Sequence, residues 1–421
     1  MGVNVSDSFD IAIVGGGMVG ASLAVALKGL KVRVALVEAV PHDAASQPSF
    51  DERTTALSNG SRRILETLGV WPAVAAAATP IAKIHVSDQG HFGFARIDAA
   101  EQGLRALGYV VANRALGAAL WSKLADHEDL RVYCPARVSR LTAGEQAVEI
   151  GVAEASGAES LIRARLVVAA DGVESAVRAA FGVSAEVRDY DQTAVITTVL
   201  PRNFHQHVAY ERFTANGPLA LLPLNDGRCT LVLTLQRSMA ESAMSWSDEE
   251  FLAEVQRRFG FRLGRFLKVG RRVAYPLALT RASSTSAGRC AIIGNAAQGL
   301  HPVAGMGFNL GLRDVACLAE LVAEHLAVHP GNPELRDFGA SDLLSAYDAW
   351  RAADRREIIA FTDGLVRLFA NPLRAVQRLR NLGLLAFDLL PPAKAALSSL
   401  STGAGGRIPK LARGVALGAP L

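Results

Sequence analysis

Hydrophobic and polar positions follow a strand–helix–strand order in the first part of this chain. The apolar run Phe9–Val14 predicts a strand buried on both faces, and residues 21–30 predict a helix. A second strand is expected at 32–37. Apolar runs that end in glycine return at 166–172 and 290–294, and the second of these leads into a predicted helix that begins at about Phe308 and extends through Leu321. This order predicts an α/β fold with a parallel sheet.

Between residues 190 and 280 the pattern changes to strict alternation, which predicts strands with two different faces. Asp226 and Gly227 supply a hairpin turn between the last two of them. On the last strand Cys229 and Leu231 begin one face, and Thr230 begins the other. The four expected strands are Val195–Leu200, Val208–Phe213, Leu219–Leu222 and Cys229–Leu235.

The C-terminal part combines a leucine-rich stripe with positive charge. Asn371 and Pro372 predict a helix start, and the apolar stripe continues until Pro391 and Pro392 stop it. Residues 365–421 contain eight basic residues and one acidic residue, so this segment carries +7 and residues 1–364 carry −3. The stripe suits packing on the protein body, a homo-oligomer interface or a membrane surface.

Composition excludes several classes of protein. The 421 residues are 50% hydrophobic and 20% charged, which suits two or three folded domains rather than a disordered chain. The four cysteines lack CxxC spacing, so we expect no metal site and a reducing compartment. No finger or RNA-binding signature accompanies the basic pI, so nucleic acid is not an expected partner. Residues 11–27 are interpreted as a strand and helix, not as a targeting segment.

The glycines after the first strand predict a dinucleotide site. Gly15, Gly17 and Gly20 form GxGxxG, with Met18 and Val19 between them. This spacing permits a tight turn, a close approach of a pyrophosphate and close packing of helix on strand. Glu38, at the end of the second strand, is placed to accept hydrogen bonds from a ribose and would repel a 2′-phosphate. The motif leaves FAD and NAD open.

Two later motifs, LVVAADGVESAVR at 166–178 and CAIIGNAAQGLHPVAGMGFNLGLRD at 290–314, complete a resemblance. With GxGxxG they resemble the class A flavoprotein aromatic hydroxylases, the p-hydroxybenzoate hydroxylase fold group. Residues 51–71 and 108–116 resemble the ubiquinone-biosynthesis branch. Within that branch, GNAAQxLHP and LLPPAKAAL look most like the 2-polyprenyl-6-methoxyphenol hydroxylases. The resemblance covers nearly the whole chain.

The resemblance implies a Rossmann-like FAD-binding domain interleaved with a mixed β-sheet substrate domain, followed by C-terminal helices. The FAD-binding domain is expected at 6–78, 111–184 and 277–335, and the substrate domain at 79–110 and 185–276. The remaining residues, 336–421, would form the helical region with its basic tail.

The resemblance also implies roles for individual residues. Arg53 and Pro302 are the expected catalytic residues, and Leu222, Pro223 and His301 are expected to contact substrate. This sequence departs from the familiar GDAAH pattern, because Asn295 replaces the Asp and Gln298 replaces the His. The expected FAD-binding residues are Gly15, Gly17, Met18, Val19, Gly20, Glu38, Arg53, Arg114, Asp171, Gly294, Asn295, Pro302, Gly305, Gly307, Phe308 and Asn309.

The implied activity is hydroxylation of a polyprenylated phenol in ubiquinone biosynthesis through a flavin C4a-hydroperoxide, with O2 and NAD(P)H. Alternatives are hydroxylation of another aromatic compound and a non-catalytic flavin-binding subunit. A flavin halogenase is discounted because the four tryptophans are isolated and form no WxWxIP. We expect a cytoplasmic protein, located peripherally at the inner membrane or in a biosynthetic complex if the tail provides the contact.

Overall fold

The computed structural model describes residues 5–45, 47–51, 53–328, 336–370 and 407–418. The expected helix between Asn371 and Pro391 therefore lies outside the described residues. The strands are β1 Val5–Val14, β2 Val34–Val37, β3 Thr54–Ser58, β4 Thr79–Ile81, β5 Lys83–Asp88, β6 Phe94–Asp98, β7 Gly108–Ala112, β8 Leu130–Tyr133, β9 Ala136–Ala143, β10 Val148–Glu154, β11 Glu159–Ala169, β12 Ala185–Pro201, β13 Val208–Thr214, β14 Gly217–Pro223, β15 Cys229–Gln236, β16 Phe266–Val269, β17 Val273–Ala282, β18 Ser286–Ala287, β19 Cys290–Ile292 and β20 Gln298–Gly299. The helices are α1 Met18–Leu27, α2 Asn59–Thr67, α3 Trp71–Val74, α4 Asn113–Leu124, α5 Ala176–Ala180, α6 Arg237–Ser245, α7 Asp248–Phe259, α8 Met306–Val328 and α9 Ser341–Ala370.

The first sheet is built around β1, as the apolar runs predict. Its strand order is β18-β19-β11-β1-β2-β8, and β1 pairs in parallel with both β11 and β2. Ile11 and Ile13 face a core shared with α1, α4 and α8, whereas Ala12 and Val14 face a second core. Burial on both faces explains the continuous apolar run. The predicted α/β class is confirmed.

Helix α1 begins at Met18, three residues earlier than its apolar pattern predicts, and ends at Leu27 instead of Leu30. The N-cap is Gly17, so the glycine motif itself forms the first turn. Leu30 lies in a turn, where its N–H group donates to the Leu27 carbonyl oxygen (3.2 Å). The glycine-rich turn therefore leads directly into the N-terminus of α1.

The second sheet confirms the alternating pattern. Its order is β20-β17-β12-β15-β14-β13-β5-β6, with β16 beside β12. Leu231 and Leu233 of β15 pack in a core with Phe251 of α7. Thr230 and Val232 face the opposite side and line a cavity. Gly227 has φ +80° in the predicted hairpin turn, which a glycine adopts without strain. A smaller sheet has the strand order β3-β7-β4 and is formed by strands between residues 54 and 112.

The last described segment returns to the protein body. Leu411 is buried in the core that contains α1, α2 and α8, and its carbonyl oxygen accepts a hydrogen bond from the Thr67 hydroxyl (3.1 Å). Arg407 lies over the ring of Trp350, with 3.9 Å from its guanidinium carbon to the ring centroid, and forms an ion pair with Glu320 (3.0 Å). Part of the C-terminal positive charge is therefore neutralised by an intramolecular ion pair.

Within the described part of the chain, no helix has both the length and the apolar character that a membrane span requires.

Candidate active site

One cavity of about 1140 Å³ brings together motifs that are far apart in the sequence. Its volume lies slightly above the range of about 300–1,000 Å³ that is typical of small-molecule and cofactor sites. Predicted site residues that line it are Gly15, Gly17, Met18, Val19, Glu38, Arg53, Asp171, Asn295, Pro302, Gly305, Gly307, Phe308, Leu222 and His301. Its walls run from the β1–α1 turn to the inner face of the second sheet. Gly20, Arg114, Pro223, Gly294 and Asn309 are not among the lining residues.

The nucleotide end of the cavity is built by the β1–α1 turn. Gly15 has φ +103°, and a Cβ atom there would lie 2.4 Å from the Ala170 carbonyl oxygen. A Cβ on Gly20 would lie 1.8 Å from the Gly15 carbonyl oxygen, so Gly20 acts by letting α1 approach the turn. The first turn of α1 has neither an acidic residue nor a side-chain cap. Its N–H groups and dipole are therefore free to bind a pyrophosphate.

Glu38 lies at the carboxyl end of β2 and is held by backbone donors. Its carboxylate accepts hydrogen bonds from the Gly16 N–H group (2.5 Å) and the Val40 N–H group (2.8 Å). Gln47 adds a weaker bond of 3.3 Å. These contacts fix a negative charge beside the glycine turn, where it suits a ribose diol and opposes a 2′-phosphate.

Asp171 follows β11 and shapes the next wall of the cavity. Its carboxylate accepts hydrogen bonds from the Ser175 hydroxyl (2.5 Å) and the Val177 N–H group (3.1 Å). Ser175 is itself the N-cap of α5, because its hydroxyl accepts from the Arg178 N–H group. Asp171 therefore orders the turn into α5 while it lines the cavity.

The third motif forms a loop between β19 and α8. Gly305 has φ +61°, and a Cβ atom there would lie 3.2 Å from the Ala56 Cβ atom. At Gly307, in contrast, a Cβ atom would meet nothing within 4 Å, because the position faces the cavity. The first turn of α8 contains no acidic residue. The loop therefore offers open space to a flat ring and a positive helix end to negative charge that develops on it.

Asn295 and Gln298, the two departures from the familiar motif, face different surroundings. Asn295 is exposed and lines the cavity, whereas Gln298 is buried. The Gln298 amide donates to Asp314 (2.9 Å) and accepts from Arg355 (2.6 Å). Gln298, which does not line the cavity, therefore connects the loop to α8 and α9.

Asp314 is the centre of that connection and was not predicted. Its carboxylate accepts hydrogen bonds from the Gly294 N–H group (3.0 Å) and forms a fully buried ion pair with Arg351 (2.7 Å). Burial opposes the charge of Arg351, but Asp314, Asp354 and other neighbouring groups together outweigh that effect and raise the pKa of Arg351. Helices α8 and α9 therefore hold the start of the loop. Sequence reasoning missed this pairing because it joins residues that only helix packing brings together.

Asn309 and Arg114, two predicted cofactor residues, have other environments. The Asn309 amide donates to the Ala56 and Gly305 carbonyl oxygens (2.8 and 2.7 Å) and accepts from the Ser58 N–H group (2.8 Å). It therefore joins β3 to the loop. Arg114 is exposed in the first turn of α4, and its neighbour Asn113 lines the cavity instead.

Arg53 lies where the smaller sheet meets the cavity. Its guanidinium forms an ion pair with Asp51 (2.6 Å), donates to the Pro48 carbonyl oxygen (2.5 Å) and lies 4.5 Å from the centroid of the Tyr275 ring. The Tyr275 hydroxyl also donates to Asp51 (2.9 Å). Arg53 and Tyr275 both line the cavity, so this cluster places a fixed cation at its wall.

The substrate end is formed by small and apolar side chains of the second sheet. Leu222 faces the cavity, and Pro223 follows on the opposite face, as strand alternation requires. His301 is buried and 5.5 Å from the Tyr190 ring centroid. Burial lowers the pKa of His301 to about 4, so the ring is neutral at physiological pH. Its Nδ1 atom accepts from the Val303 N–H group (3.2 Å), and Nε2 has no partner among the described residues.

Glu211 on β13 is a further cavity residue, and sequence reasoning missed it. Burial raises the pKa of this carboxyl to about 7. A signal was present, since Glu211 is an isolated acid on the strand face that begins with Ala209 and ends with Phe213. The strand itself was predicted, but its charged position was not interpreted.

Comparisons with known proteins agree with this geometry. A protein family described as FAD binding domain matches residues 8–362. The chain is 37% identical over 414 residues to ubiquinone hydroxylase UbiL of Rhodospirillum rubrum, covering 97% of this chain and 93% of the relative. It is 33% identical over 389 residues to 3-demethoxyubiquinol 3-hydroxylase of Escherichia coli, covering 90% and 94%.

The fold is shared with a solved aromatic monooxygenase. The p-nitrophenol 4-monooxygenase PnpA of Pseudomonas putida superposes with a TM-score of 0.77 at 19% identity, covering 96% of this chain and all of that one. The predicted class A hydroxylase fold and the ubiquinone branch of the resemblance are confirmed. This chain belongs to the FAD binding domain family, and within it to the group that contains the ubiquinone hydroxylases.

Proposed function

We propose that this protein is an FAD-dependent monooxygenase that hydroxylates the ring of a polyprenylated phenol in ubiquinone biosynthesis. The observation that carries the proposal is that one cavity joins a dinucleotide-binding turn to an apolar sheet face. The relatives that are named ubiquinone hydroxylases match nearly the whole chain, so they support the same substrate class.

The residues at the nucleotide end fit FAD. The open helix N-terminus after Gly17 suits the pyrophosphate, Glu38 suits the adenosine ribose, and the space at Gly307 suits the ring. Asn295, exposed to the cavity, offers an amide oxygen for a ribityl hydroxyl. When bound and reduced, FAD supplies the activation of O2 and the transfer of one oxygen atom to the ring. NAD(P)H is the proposed electron donor.

The chain's own residues have three tasks at the substrate end. Leu222 and its apolar neighbours on the sheet hold the aromatic ring by apolar contact and exclude water. Pro302 is proposed to fix the backbone next to the reacting position, with Arg53 as a fixed cation in the same cavity. His301 is neutral, so it is proposed to contact the substrate without carrying charge.

The ring position and the location of the enzyme are finer proposals. The motif likeness favours hydroxylation of a 2-polyprenyl-6-methoxyphenol, whereas the E. coli relative is named for the 3-position of a demethoxyubiquinol. A polyprenyl chain partitions into lipid, so we propose peripheral association with the inner membrane or with other biosynthetic enzymes through the segment that contains residues 371–406.

The first test is reconstitution. Protein purified and incubated with FAD is expected to show a flavin absorption spectrum, and a prenylated phenol is expected to yield a product one oxygen atom heavier with NAD(P)H and O2. Absence of a flavin spectrum would refute the proposal. Bound FAD without hydroxylation of any phenol would favour a non-catalytic flavin-binding subunit. Deletion of the gene should cause a quinone precursor to accumulate, and its structure would identify the ring position.

A further inference from the structure

The substrate end of the cavity contains one feature that its apolar character does not explain. Glu211 lies on the inner face of the second sheet, between Ala209 and Phe213 on the same face of β13. On the adjacent strands its partners are Val86 of β5 and Ala220 of β14. A carboxyl group is therefore surrounded laterally by aliphatic side chains.

The side chains around Glu211 place it close to the glycine loop. Phe213 packs with Val303, which directly follows Pro302. On the other side, Ala209 packs in a cluster that contains Ala56 and Leu222. Ala56 in turn receives the hydrogen bond from Asn309 that holds the loop. Glu211 thus faces the cavity between two clusters that border the proposed reaction site.

Among the described residues, Glu211 has no charged partner that would explain its position. The polar neighbours Tyr210 and Arg212 face the opposite side of the sheet, where Arg212 donates to the Arg258 carbonyl oxygen (2.9 Å). No described cation forms an ion pair with its carboxylate, and burial raises the pKa of Glu211. Glu211 is partly buried, and a carboxyl in an apolar wall is costly unless a ligand provides a donor.

We infer that the Glu211 carboxyl accepts a hydrogen bond from the ring hydroxyl of the substrate and thereby sets the orientation of the ring. This inference rests on the proposed function, because it assumes a phenol in the cavity. An ionised carboxylate accepts hydrogen bonds about twice as strongly as a neutral group. The contact is therefore strongest above the pKa of Glu211, which burial raises to about 7.

The other ionisable groups that line the substrate end do not titrate in the same range. Burial holds the pKa of His301 at about 4, so the imidazole stays neutral from pH 5.5 to 8.5. Burial raises the pKa of Tyr275 above its ordinary value, so that phenol also stays neutral. A pH dependence centred near 7 would therefore report Glu211.

The test uses the FAD-loaded protein and two probes, a short-chain prenylated methoxyphenol and its methyl ether. Dissociation constants are measured from the change in flavin fluorescence at pH 5.5 and 8.5. The wild-type protein is expected to prefer the phenol at least about tenfold at pH 8.5, the effect of one hydrogen bond to a charged group. At pH 5.5 this preference is expected to fall toward that of Glu211→Gln.

Variants separate this role from a structural one. Glu211→Met is expected to abolish the preference while it binds the ether as well as the wild type does. Glu186→Gln, at an exposed position of the same sheet, is the matched control and should keep the preference. An unchanged preference in Glu211→Met, or an equal loss of both probes, would overturn the inference. If the wild type hydroxylates the phenol, either of these results refutes the inference about Glu211 and leaves the proposed function intact. A wild-type protein that binds neither probe refutes both proposals.

Discussion

Replacing Gly307 with alanine should weaken flavin binding without damaging the fold. The new methyl group would have no protein atom within 4 Å, and Gly307 has no left-handed backbone conformation that an alanine would strain. Because the position lies in the first turn of α8, alanine should change the free energy of unfolding of the FAD-free protein by at most about 1 kcal/mol, toward stability.

The same methyl group would occupy space that the proposed flavin ring needs. Overfilling a packed site typically costs about 1–3 kcal/mol, which corresponds to a roughly 5- to 150-fold weaker dissociation constant for FAD. The assay combines thermal unfolding of the FAD-free protein with titration of FAD by fluorescence quenching. Gly307→Ala should shift only the second measurement.

Gly20→Ala serves as the contrasting control. Its Cβ atom would overlap the Gly15 carbonyl oxygen at 1.8 Å, so it should lower the melting temperature of the FAD-free protein as well as FAD affinity. Wild-type FAD affinity in Gly307→Ala would refute the assignment of this space to the flavin. A lowered melting temperature of the FAD-free Gly307→Ala protein would show that the position has a structural role.

Three further predictions concern buried charge and the chain end. Asp314→Ala should leave the buried Arg351 guanidinium with Asp354 as its remaining carboxylate partner and lower the free energy of unfolding, measured by urea denaturation, by up to about 3–5 kcal/mol. Combining Arg351→Met with Asp314→Asn should recover part of the loss. Glu211→Gln should be more stable than the wild type at pH 8.5, by up to about 3 kcal/mol in the free energy of unfolding. The reason is that the raised pKa of Glu211 gives the wild type a stability contribution that is complete below pH 4.5 and is lost as the pH rises through 7. A difference in melting temperature between the two proteins that stays constant from pH 4.5 to 8.5 would contradict this. Leu411→Ala should lower the free energy of unfolding by about 2–5 kcal/mol because the Leu411 side chain is buried. A melting temperature unchanged within error would show that the packing of residues 407–418 on the protein body adds no stability.

The sequence predicts the elements whose patterns are local. The β1–α1 turn is recognisable because Gly15 and Gly20 are required by contacts within a few residues and by one neighbouring strand. The faces of β15 follow from alternation alone, and the structure confirms that Leu231 and Val232 lie on opposite faces. Such features depend on backbone geometry that every chain shares.

Features that depend on distant packing could not be predicted in the same way. Asp314 and Arg351 are unremarkable charges on two helices until α8 and α9 meet. Asn309 belongs to a flavin motif by resemblance, and the structure shows its amide bonded to three backbone groups that the motif does not indicate. The meaning of a polar residue in a motif therefore depends on which groups the fold brings within hydrogen-bonding distance.

The strand order of the first sheet has a consequence for synthesis of the protein. β1 lies beside β11, and β11 lies beside β19, so the centre of the sheet combines residues 5–14, 159–169 and 290–292. At translation rates of about 5–20 residues per second, β1 waits roughly 15–60 seconds for the last of these strands. During that interval apolar strand edges are exposed to chaperones and to neighbouring nascent chains. Flavin can be captured only near the end of translation, so early termination should yield aggregates rather than a smaller flavoprotein.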